Sequence, residues 1–196
     1  MNEKDKMLAG LTYNAGDEQL SIDRMHAKSV CHRFNMTDPM QLHAQMALLK
    51  SLLIIKDRAH IEPNFFCDYG YNIEVGSNFY SNHNLTILDV CKVTIGNNVL
   101  IGPHVMISTA THPLDPIERQ HTEYGANITI GNNVWIGGNV SILAGVTIGD
   151  NCVIGAGSVV TRNIATNSVA VGNPCRVMKT LNIEKIPVKS DDVTVF

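Results

Sequence analysis

Apolar residues, with few exceptions, recur at every sixth position through the second half of the chain. The uninterrupted series is Ile128, Val134, Val140, Val146, Cys152, Ser158 and Ile164. An earlier series keeps the spacing in two parts, with two extra residues between them: Ile73, Phe79, Leu85 and Val93, Val99, Val105. Glycine repeatedly follows an inward Val or Ile, and asparagine often stands two residues further on. These glycines are Gly76, Gly96, Gly102, Gly131, Gly137, Gly149 and Gly155.

This period predicts a solenoid. Each six-residue unit reads as a short strand followed by a turn, in which Gly and Asn adopt backbone conformations closed to most residues. One unit cannot bury its own apolar side chain, but stacked units form a continuous core, as in a parallel β-helix. A β-sandwich would place its turns at longer and less regular intervals. The fold class predicted is therefore mainly β, with the repeats stacked as a parallel β-helix.

The first part of the chain has a helical pattern instead. Residues 37–55 are predicted to form a helix, with Asp38 as N-cap, Pro39 in the first turn and Gln41 as a capping-box partner. Its apolar stripe comprises Met40, Ala44, Ala47, Leu48 and Leu52. A weaker helix is predicted over residues 18–34, and residues 7–16 fit a short helix or turn.

The change of pattern divides the chain. We expect a small N-terminal helical cap over residues 1–60, a β-helix domain over 61–180 and a C-terminal tail over 181–196. The repeat is interrupted once, by a polar, proline-bearing loop over residues 111–127, T-H-P-L-D-P-I-E-R-Q-H-T-E-Y-G-A-N. Insertions in repeat scaffolds commonly gather on a functional face, so this loop is the first place to look for chemistry.

Composition narrows the classes of function. A length of 196 residues with 44% hydrophobic content suits a packed domain, and a net charge of −3 argues against nucleic acid as the main partner. Cys31, Cys67, Cys91, Cys152 and Cys175 are scattered and include no C-x-x-C pair, so buried reduced thiols are expected rather than a disulfide framework or a zinc knuckle. No apolar leader or membrane-length segment is seen, so a cytoplasmic location with no membrane partner is expected.

Longer segments accompany the repeat. They are M-L-A-G-L-T-Y-N-A-G-D-E-Q-L, N-F-Y-S-N-H-N-L-T-I-L-D-V, T-A-T-H-P-L-D-P-I-E-R, I-T-I-G-N-N-V-W-I-G-G-N-V, G-A-G-S-V-V-T-R and V-G-N-P-C-R-V. Together they resemble the hexapeptide-repeat acetyltransferases, specifically the maltose and galactoside O-acetyltransferase group with its nodulation relatives. The resemblance implies a left-handed β-helix, a homotrimer with active sites between subunits, and acetyl-CoA as co-substrate with no metal required.

His112 stands where that family has its catalytic histidine, directly before Pro113 in the loop. Acetyl transfer to an alcohol needs a base for the hydroxyl proton, and a histidine accepts and returns protons near neutrality. Asn82 matches the asparagine that lies near the acetyl group and acceptor in the family, although a turn asparagine is an alternative. Glu123 could orient or polarise His112, or be a solvated loop carboxylate.

The donor side is assigned through the same resemblance. Backbone N–H groups near Gly137 and Gly138 are predicted to stabilise the developing oxyanion. Some relatives have serine where this chain has Gly138, so no hydroxyl contact is assigned there. The predicted coenzyme A contacts are Ala156, Gly157, Thr161, Arg162 and Arg176, with surface charge as the alternative for both arginines.

The acceptor side is less defined. The predicted substrate-binding residues are Asn14, Asp68, Tyr69, Asn82 and Asp89. Galactoside-type relatives carry acidic residues where this chain has Val90 and Asn14, so the L-D-V form looks more like the maltose-type branch. Trp135 is expected to face outward and either wall the site or pack against a neighbour.

Three other functions fit part of the pattern. A three-histidine zinc site, as in a gamma-class carbonic anhydrase, would need His112 to meet His83, His104 or His121. N-acetylation of an amino sugar or antibiotic would use the same base and coenzyme groove. A non-catalytic trimeric β-helix would bind a ligand without turning it over. The leading hypothesis is an O-acetyltransferase acting on a sugar-like acceptor.

Overall fold

The computed structural model describes residues 1–183, so residues 184–196 of the predicted tail lie outside the described part of the chain. Three helices open the fold: α1 at Glu3–Leu8, α2 at Glu18–Met36 and α3 at Leu42–Leu52. Helix α2 begins where the pattern predicts, because the Asp17 side chain accepts a hydrogen bond from the Leu20 N–H at 3.2 Å. None of the helices in this part combines the length and the apolar character needed to cross a bilayer.

Helix α3 is shorter than predicted at both ends. The Asp38 carboxylate accepts from the Met40 N–H at 2.9 Å and so closes a local turn instead of capping the helix. The helix begins at Leu42 with no side-chain cap. It ends at Leu52 because Ile54–Ile55 pairs with Glu74–Val75 as the first strand of the solenoid. We therefore place the start of the solenoid at Ile54 rather than residue 61.

The strands form three parallel sheets, which are the three faces of the solenoid. Face 1 contains β1 at Ile54–Ile55, β4 at Ile73–Val75, β7 at Val93–Ile95, β12 at Ile128–Ile130 and β15 at Thr147–Ile148. Face 2 contains β2 at Ala59–Ile61, β5 at Phe79–Ser81, β8 at Leu100–Ile101, β13 at Trp135–Ile136, β16 at Val153–Ile154, β18 at Ser168–Val171 and the antiparallel β19 at Arg176–Thr180. Face 3 contains β3 at Phe66–Cys67, β6 at Thr86–Leu88, β9 at Met106–Ser108, β14 at Ser141–Ile142 and β17 at Val159–Val160. The chain visits the faces in the order 1, 2, 3, which confirms the predicted parallel β-solenoid.

The core is the column of residues that the six-residue period identifies. Every member of both predicted series is buried. Ser158 is the one hydroxyl among them, and it is tolerated because its Oγ donates to the Gly155 carbonyl at 2.5 Å and accepts from the Gly172 N–H at 3.0 Å. All five cysteines are buried free thiols, as expected from their scatter.

Gly and Asn perform different tasks at the corner between faces 1 and 2. The asparagines take the left-handed conformation there, as Asn133 does at φ 55°. The glycines instead allow rungs to approach: a Cβ on Gly96 would lie 2.7 Å from the Gly131 carbonyl carbon. The two residue types therefore recur together because one supplies the turn and the other the close stacking.

The same asparagines form a ladder of side-chain amides along this corner. Each Nδ2 donates to the Oδ1 of the next rung at 2.8–3.0 Å. The ladder comprises Asn78, Asn98, Asn133, Asn151 and Asn167. Besides fixing the turn, it ties successive rungs together outside the backbone network.

Asn133 gives a direct test of this corner. Asn133→Ala should lower the free energy of unfolding by about 2 kcal/mol, because it strains a left-handed residue and removes two amide hydrogen bonds. Asn133→Gly should cost about 1 kcal/mol, since glycine keeps the conformation and loses only the ladder. Urea unfolding measures both. Equal costs for the two variants would contradict the separate contribution of the backbone conformation.

Candidate active site

The corner between faces 3 and 1 brings three turns together. Asp68–Tyr69 follows β3, Asp89–Val90 follows β6, and Ala110–Thr111 follows β9. The strands β3, β6 and β9 are neighbours in face 3, so the turns that leave them stack on one edge. Residues about twenty positions apart in the sequence thus become neighbours.

The excursion loop leaves and rejoins the solenoid at this edge. Its base is a two-stranded ladder in which β10 (Ala110–Thr111) pairs antiparallel with β11 (Tyr124–Gly125), and a short 3-10 turn lies at Glu118–Gln120. Gly125 is required by close packing, since a Cβ there would lie 2.6 Å from Val90 Cγ2 and 2.7 Å from Cys91 Sγ. His112 is the first residue beyond this ladder.

The His112 imidazole is held by the far side of its own loop. Its Nδ1 lies 3.4 Å from the Thr122 carbonyl oxygen. A carbonyl only accepts, so this contact assigns the proton to Nδ1 and leaves Nε2 as the basic nitrogen. Glu123 Oε2 lies 3.9 Å from Nε2. The imidazole is 56% exposed and the Glu123 side chain 19% exposed, so the ring is open to a ligand while the neighbouring carboxylate is mostly covered.

Other cavities among the described residues are larger, up to about 730 Å³, but the cavity at His112 is the one lined by several of the residues predicted from the sequence. It has a volume of about 370 Å³. Its lining comprises Ala15, Arg24, Asp68, Tyr69, Leu88, Val90, Ala110, His112 and Glu123. Four of the residues predicted from the sequence, namely His112, Glu123, Asp68 and Tyr69, therefore share one cavity.

Arg24 also lines the cavity, although it was not among the residues predicted from the sequence. Its Nη1 donates to the Tyr69 hydroxyl at 2.6 Å, and its Nη2 donates to the Ala15 carbonyl at 2.6 Å. A signal was present in helix α2, because Arg24 is the charged interruption of a buried stripe at three- and four-residue steps. That stripe comprises Leu20, Ala27, Cys31 and Phe34.

Asp68 and Tyr69 have perturbed ionisation. Burial is the main cause that raises the pKa of the Asp68 carboxyl, and the Glu123 carboxylate raises it further. Burial also raises the pKa of the Tyr69 phenol, although its hydrogen bond with Arg24 opposes the shift. The pocket therefore contains one cation, Arg24, and two carboxyl groups, Asp68 and Glu123.

Asp89 has a different position from the one predicted for a substrate contact. Its carboxylate is fully buried and accepts from the N–H groups of Asp68, Tyr69 and Gly70 at 3.0, 2.9 and 2.7 Å. Burial raises the pKa of Asp89 to about 7, against the opposing effect of these amides. Asp89 therefore shapes the turn that presents Asp68 and Tyr69 and does not face the cavity.

Asn14 also lies beside the cavity rather than in its lining. Its Oδ1 accepts from the Gly16 N–H at 2.8 Å, and its own N–H donates to Glu3 Oε2 at 2.6 Å. The next residue, Ala15, is the one that lines the pocket. The Asn14 side chain is thus occupied in closing the turn before helix α2.

Asn82 and the predicted oxyanion donors lie on another edge, the corner between faces 2 and 3. The N–H groups of Asn82 and Gly137 both donate along the rung ladder, to Ile101 and Ile154 carbonyls at 2.8 Å. The Gly137 N–H is therefore engaged, which corrects its assignment as an oxyanion donor. The Gly138 N–H has no hydrogen-bond partner within residues 1–183 and remains available.

The predicted coenzyme A residues are divided between edges. Ala156 and Gly157 lie below Gly138 at the corner of faces 2 and 3, where the Gly157 N–H donates to the Gly138 carbonyl at 2.9 Å. Thr161 and Arg162 follow β17 at the corner of faces 3 and 1 and are exposed. Arg176 begins the exposed strand β19. Trp135 is 56% exposed on face 2, which confirms its outward orientation.

The histidines weighed as zinc ligands do not converge. His83 and His104 lie at the corner of faces 2 and 3, whereas His112 and His121 belong to the loop at the other corner. Within residues 1–183, no group of three His, Cys, Asp or Glu side chains is arranged to hold a metal ion.

Comparisons with known proteins support the motifs. The maltose acetyltransferase hexapeptide capping motif matches residues 6–54, and the bacterial transferase hexapeptide model of six repeats matches residues 127–162. The galactoside O-acetyltransferase of Escherichia coli K12 is 45% identical over 91% of this chain and 89% of its own length.

Two solved structures are similar throughout. A maltose O-acetyltransferase from Clostridium difficile 630 has a TM-score of 0.91 at 50% identity, covering 93% of this chain and 98% of that one. A galactoside acetyltransferase in complex with coenzyme A has a TM-score of 0.91 at 42% identity, covering 98% of this chain and 97% of that one. The resemblance found in the sequence is confirmed.

The buried Asp89 provides a test of how the acceptor side is held. Asp89→Asn leaves one oxygen for three N–H donors and turns an amide N–H₂ toward one of them, so unfolding should become easier by about 1–3 kcal/mol. Asp68→Asn is the matched control, because the Asp68 carboxylate accepts no hydrogen bond within the described residues. Urea unfolding of both variants at one pH makes the comparison. A larger loss for Asp68→Asn would contradict the role assigned to Asp89.

Proposed function

Because the chain belongs to the maltose and galactoside O-acetyltransferase family of hexapeptide-repeat proteins, we propose that it transfers acetyl directly from acetyl-CoA to a hydroxyl of a sugar or similar small acceptor. The protein is an acetyl-CoA-dependent acyltransferase. The observation that carries the finer proposal is the His112 imidazole, whose Nδ1 contacts the Thr122 carbonyl while the ring lines the cavity.

His112 acts as the general base in this proposal. Its Nε2 removes the acceptor hydroxyl proton as the oxygen attacks the thioester carbonyl carbon. The tetrahedral intermediate then collapses, the carbon–sulfur bond breaks, and Nε2 returns the proton to the departing thiolate. No covalent acyl-enzyme is needed, because the thioester is already activated.

Glu123 supports the charged form of the base. Its Oε2 lies 3.9 Å from Nε2, on the opposite side of the ring from the Thr122 contact. A carboxylate at this distance stabilises the imidazolium that forms when the proton is taken. Glu123 therefore acts beside the basic nitrogen, whereas the carboxylate of a serine-protease triad holds the other nitrogen.

The acceptor occupies the cavity at His112. Arg24 offers guanidinium donors and Asp68 offers a carboxyl acceptor, which together suit neighbouring hydroxyl groups. The hydrogen bond to the Tyr69 hydroxyl holds the Arg24 guanidinium in place. Val90 and Leu88 form an apolar wall against which a sugar ring can pack. This mixture of one apolar wall and few polar groups is typical of small-molecule sites.

The donor lies along the other edge of the solenoid. Ala156 and Gly157 are small enough to admit the pantetheine arm, and the Gly138 N–H, which donates to no group within residues 1–183, stabilises the oxyanion in this proposal. Arg176 on β19, and Thr161 and Arg162 at the corner of faces 3 and 1, supply hydroxyl and cationic groups for the phosphates, so the coenzyme is proposed to contact both edges. Asn82 lies above Gly137 in the same column of turns and is proposed to contact the acetyl group or the acceptor.

These two edges support a homotrimer with active sites between subunits. In one chain, His112 lies at the corner of faces 3 and 1, whereas Gly138 lies at the corner of faces 2 and 3. A neighbouring copy that places its second corner beside the first chain's His112 brings base and thioester together. A cytoplasmic location agrees with the five free thiols.

Replacing the base is the direct test. His112→Ala should lower kcat by roughly 10²- to 10⁴-fold, because the proton transfer is lost, while coenzyme A binding and oligomeric state stay unchanged. His121→Ala, an exposed histidine of the same loop, is the matched control and should retain activity. Thiol release from acetyl-CoA, calorimetric titration with coenzyme A, and sedimentation provide the measurements. Substantial turnover by His112→Ala would exclude it as the base.

The bond formed distinguishes an O-acetyl from an N-acetyl product. Mono- and disaccharides, and amino sugars as the comparison set, are incubated with acetyl-CoA and protein, and the purified products are treated with alkaline hydroxylamine. An acetyl ester should be cleaved, because esters react with hydroxylamine under conditions that leave amides intact. Mass spectrometry then shows loss of the acetyl group. A product that keeps it would identify an amide and overturn the hydroxyl acceptor.

A further inference from the structure

Tyr13 joins the helical cap to the loop that carries His112. Its N–H donates to the Glu123 carbonyl at 3.0 Å, and the Glu123 N–H donates back to the Tyr13 carbonyl at 3.2 Å. The two residues form an isolated antiparallel bridge 110 positions apart in the chain. The cap therefore holds Glu123 through its backbone.

The side chains of the two residues are also joined. The Tyr13 hydroxyl donates to Glu123 Oε1, while the other oxygen, Oε2, faces His112 Nε2. The tyrosine is only 1% exposed. Burial and the adjacent carboxylate raise the pKa of the Tyr13 phenol, so its hydroxyl stays protonated and remains a hydrogen-bond donor at neutral pH.

The tyrosine is itself fixed by packing. It belongs to a small apolar cluster that is separate from the main core and joins the cap to the turns of the active-site corner. The cluster comprises Met7, Tyr13, Leu20, Tyr69, Val90 and Cys91. A donor locked in this way orients a carboxylate on a long loop better than solvent can.

We infer that Tyr13 is a positioning residue of the transfer reaction, whose hydroxyl holds one oxygen of Glu123 so that the other faces the basic nitrogen of His112. The inference rests on the proposed role of His112 as base. The inference gives the cap a part in catalysis, because the orientation of Glu123 toward His112 depends on a residue outside both the loop and the solenoid.

A double-mutant cycle tests this inference. Tyr13→Phe keeps the packing and removes only the hydroxyl, and it should lower kcat roughly tenfold, within the range of coupling found for groups in contact. The KM for acetyl-CoA should not change. In a Glu123→Gln background, Tyr13→Phe should cost nothing further, because the carboxylate it positions is gone. The acid limb of the kcat/KM profile should move in the same direction in both single variants.

Tyr71→Phe is the matched control. The Tyr71 hydroxyl also donates to a carboxylate, Asp23 Oδ2 at 3.1 Å, but that pair makes no contact with His112. It should leave kcat and the pH profile unchanged. An equal loss in Tyr71→Phe, an unmoved acid limb in Tyr13→Phe, or an undiminished effect in the Glu123→Gln background would overturn the inference. His112→Ala in the same assay separates the role of His112 as base from the role of Tyr13 as a positioning residue. If His112→Ala remained active, the base proposal would fail, whatever the result for Tyr13→Phe.

Discussion

Register between stacked rungs is the constraint on which the rest of the structure depends. Backbone N–H groups of one rung donate to carbonyls of the next, and the six-residue period keeps each turn above the one before. Turns from successive rungs therefore stack in columns along the edges of the solenoid. Asp68, Asp89 and Ala110, each about twenty residues apart, end at one edge because they leave neighbouring strands of face 3. The corner of faces 3 and 1 is therefore a product of the repeat, and the excursion loop adds His112 and Glu123 to it.

The repeat made most of the fold predictable, because the residues that form a solenoid core recur at a fixed spacing in the sequence. Its buried members, Val134 and Ile164 among them, could be named without coordinates. The start of helix α3 could not, since Asp38 has two competing uses for its carboxylate and local turn closure won over capping. The separate roles of Gly96 and Asn98 could not be predicted from the pattern either, because the φ angle and the spacing between rungs depend on the tertiary structure.

The candidate site was predictable where a motif carried it and not where a distant element did. His112 and Glu123 share a loop, so their proximity follows from the sequence. Arg24 enters the cavity from a cap helix, and only its position within an apolar stripe signalled it. Asp89 and Gly137 stand at plausible motif positions. However, the Asp89 carboxylate accepts hydrogen bonds within a turn, and the Gly137 N–H donates to a carbonyl of the next rung. Hydrogen-bond partners of this kind depend on which rung is adjacent.

The cap explains how donor and acceptor chemistry are kept apart. The proposed acceptor residues Arg24, Asp68 and Tyr69 come from the cap and the upper turns of one edge, whereas the small residues Gly138 and Ala156 lie at a different edge on lower rungs. Because the two sets share no side chain, the proposed sites predict that the acceptor cavity can change without disturbing the thioester path. What must stay fixed is the geometry between them, and it is set by the rungs and by the bridge from Tyr13 to the loop. A capping segment that only shielded the end of the solenoid would need no contact with Glu123.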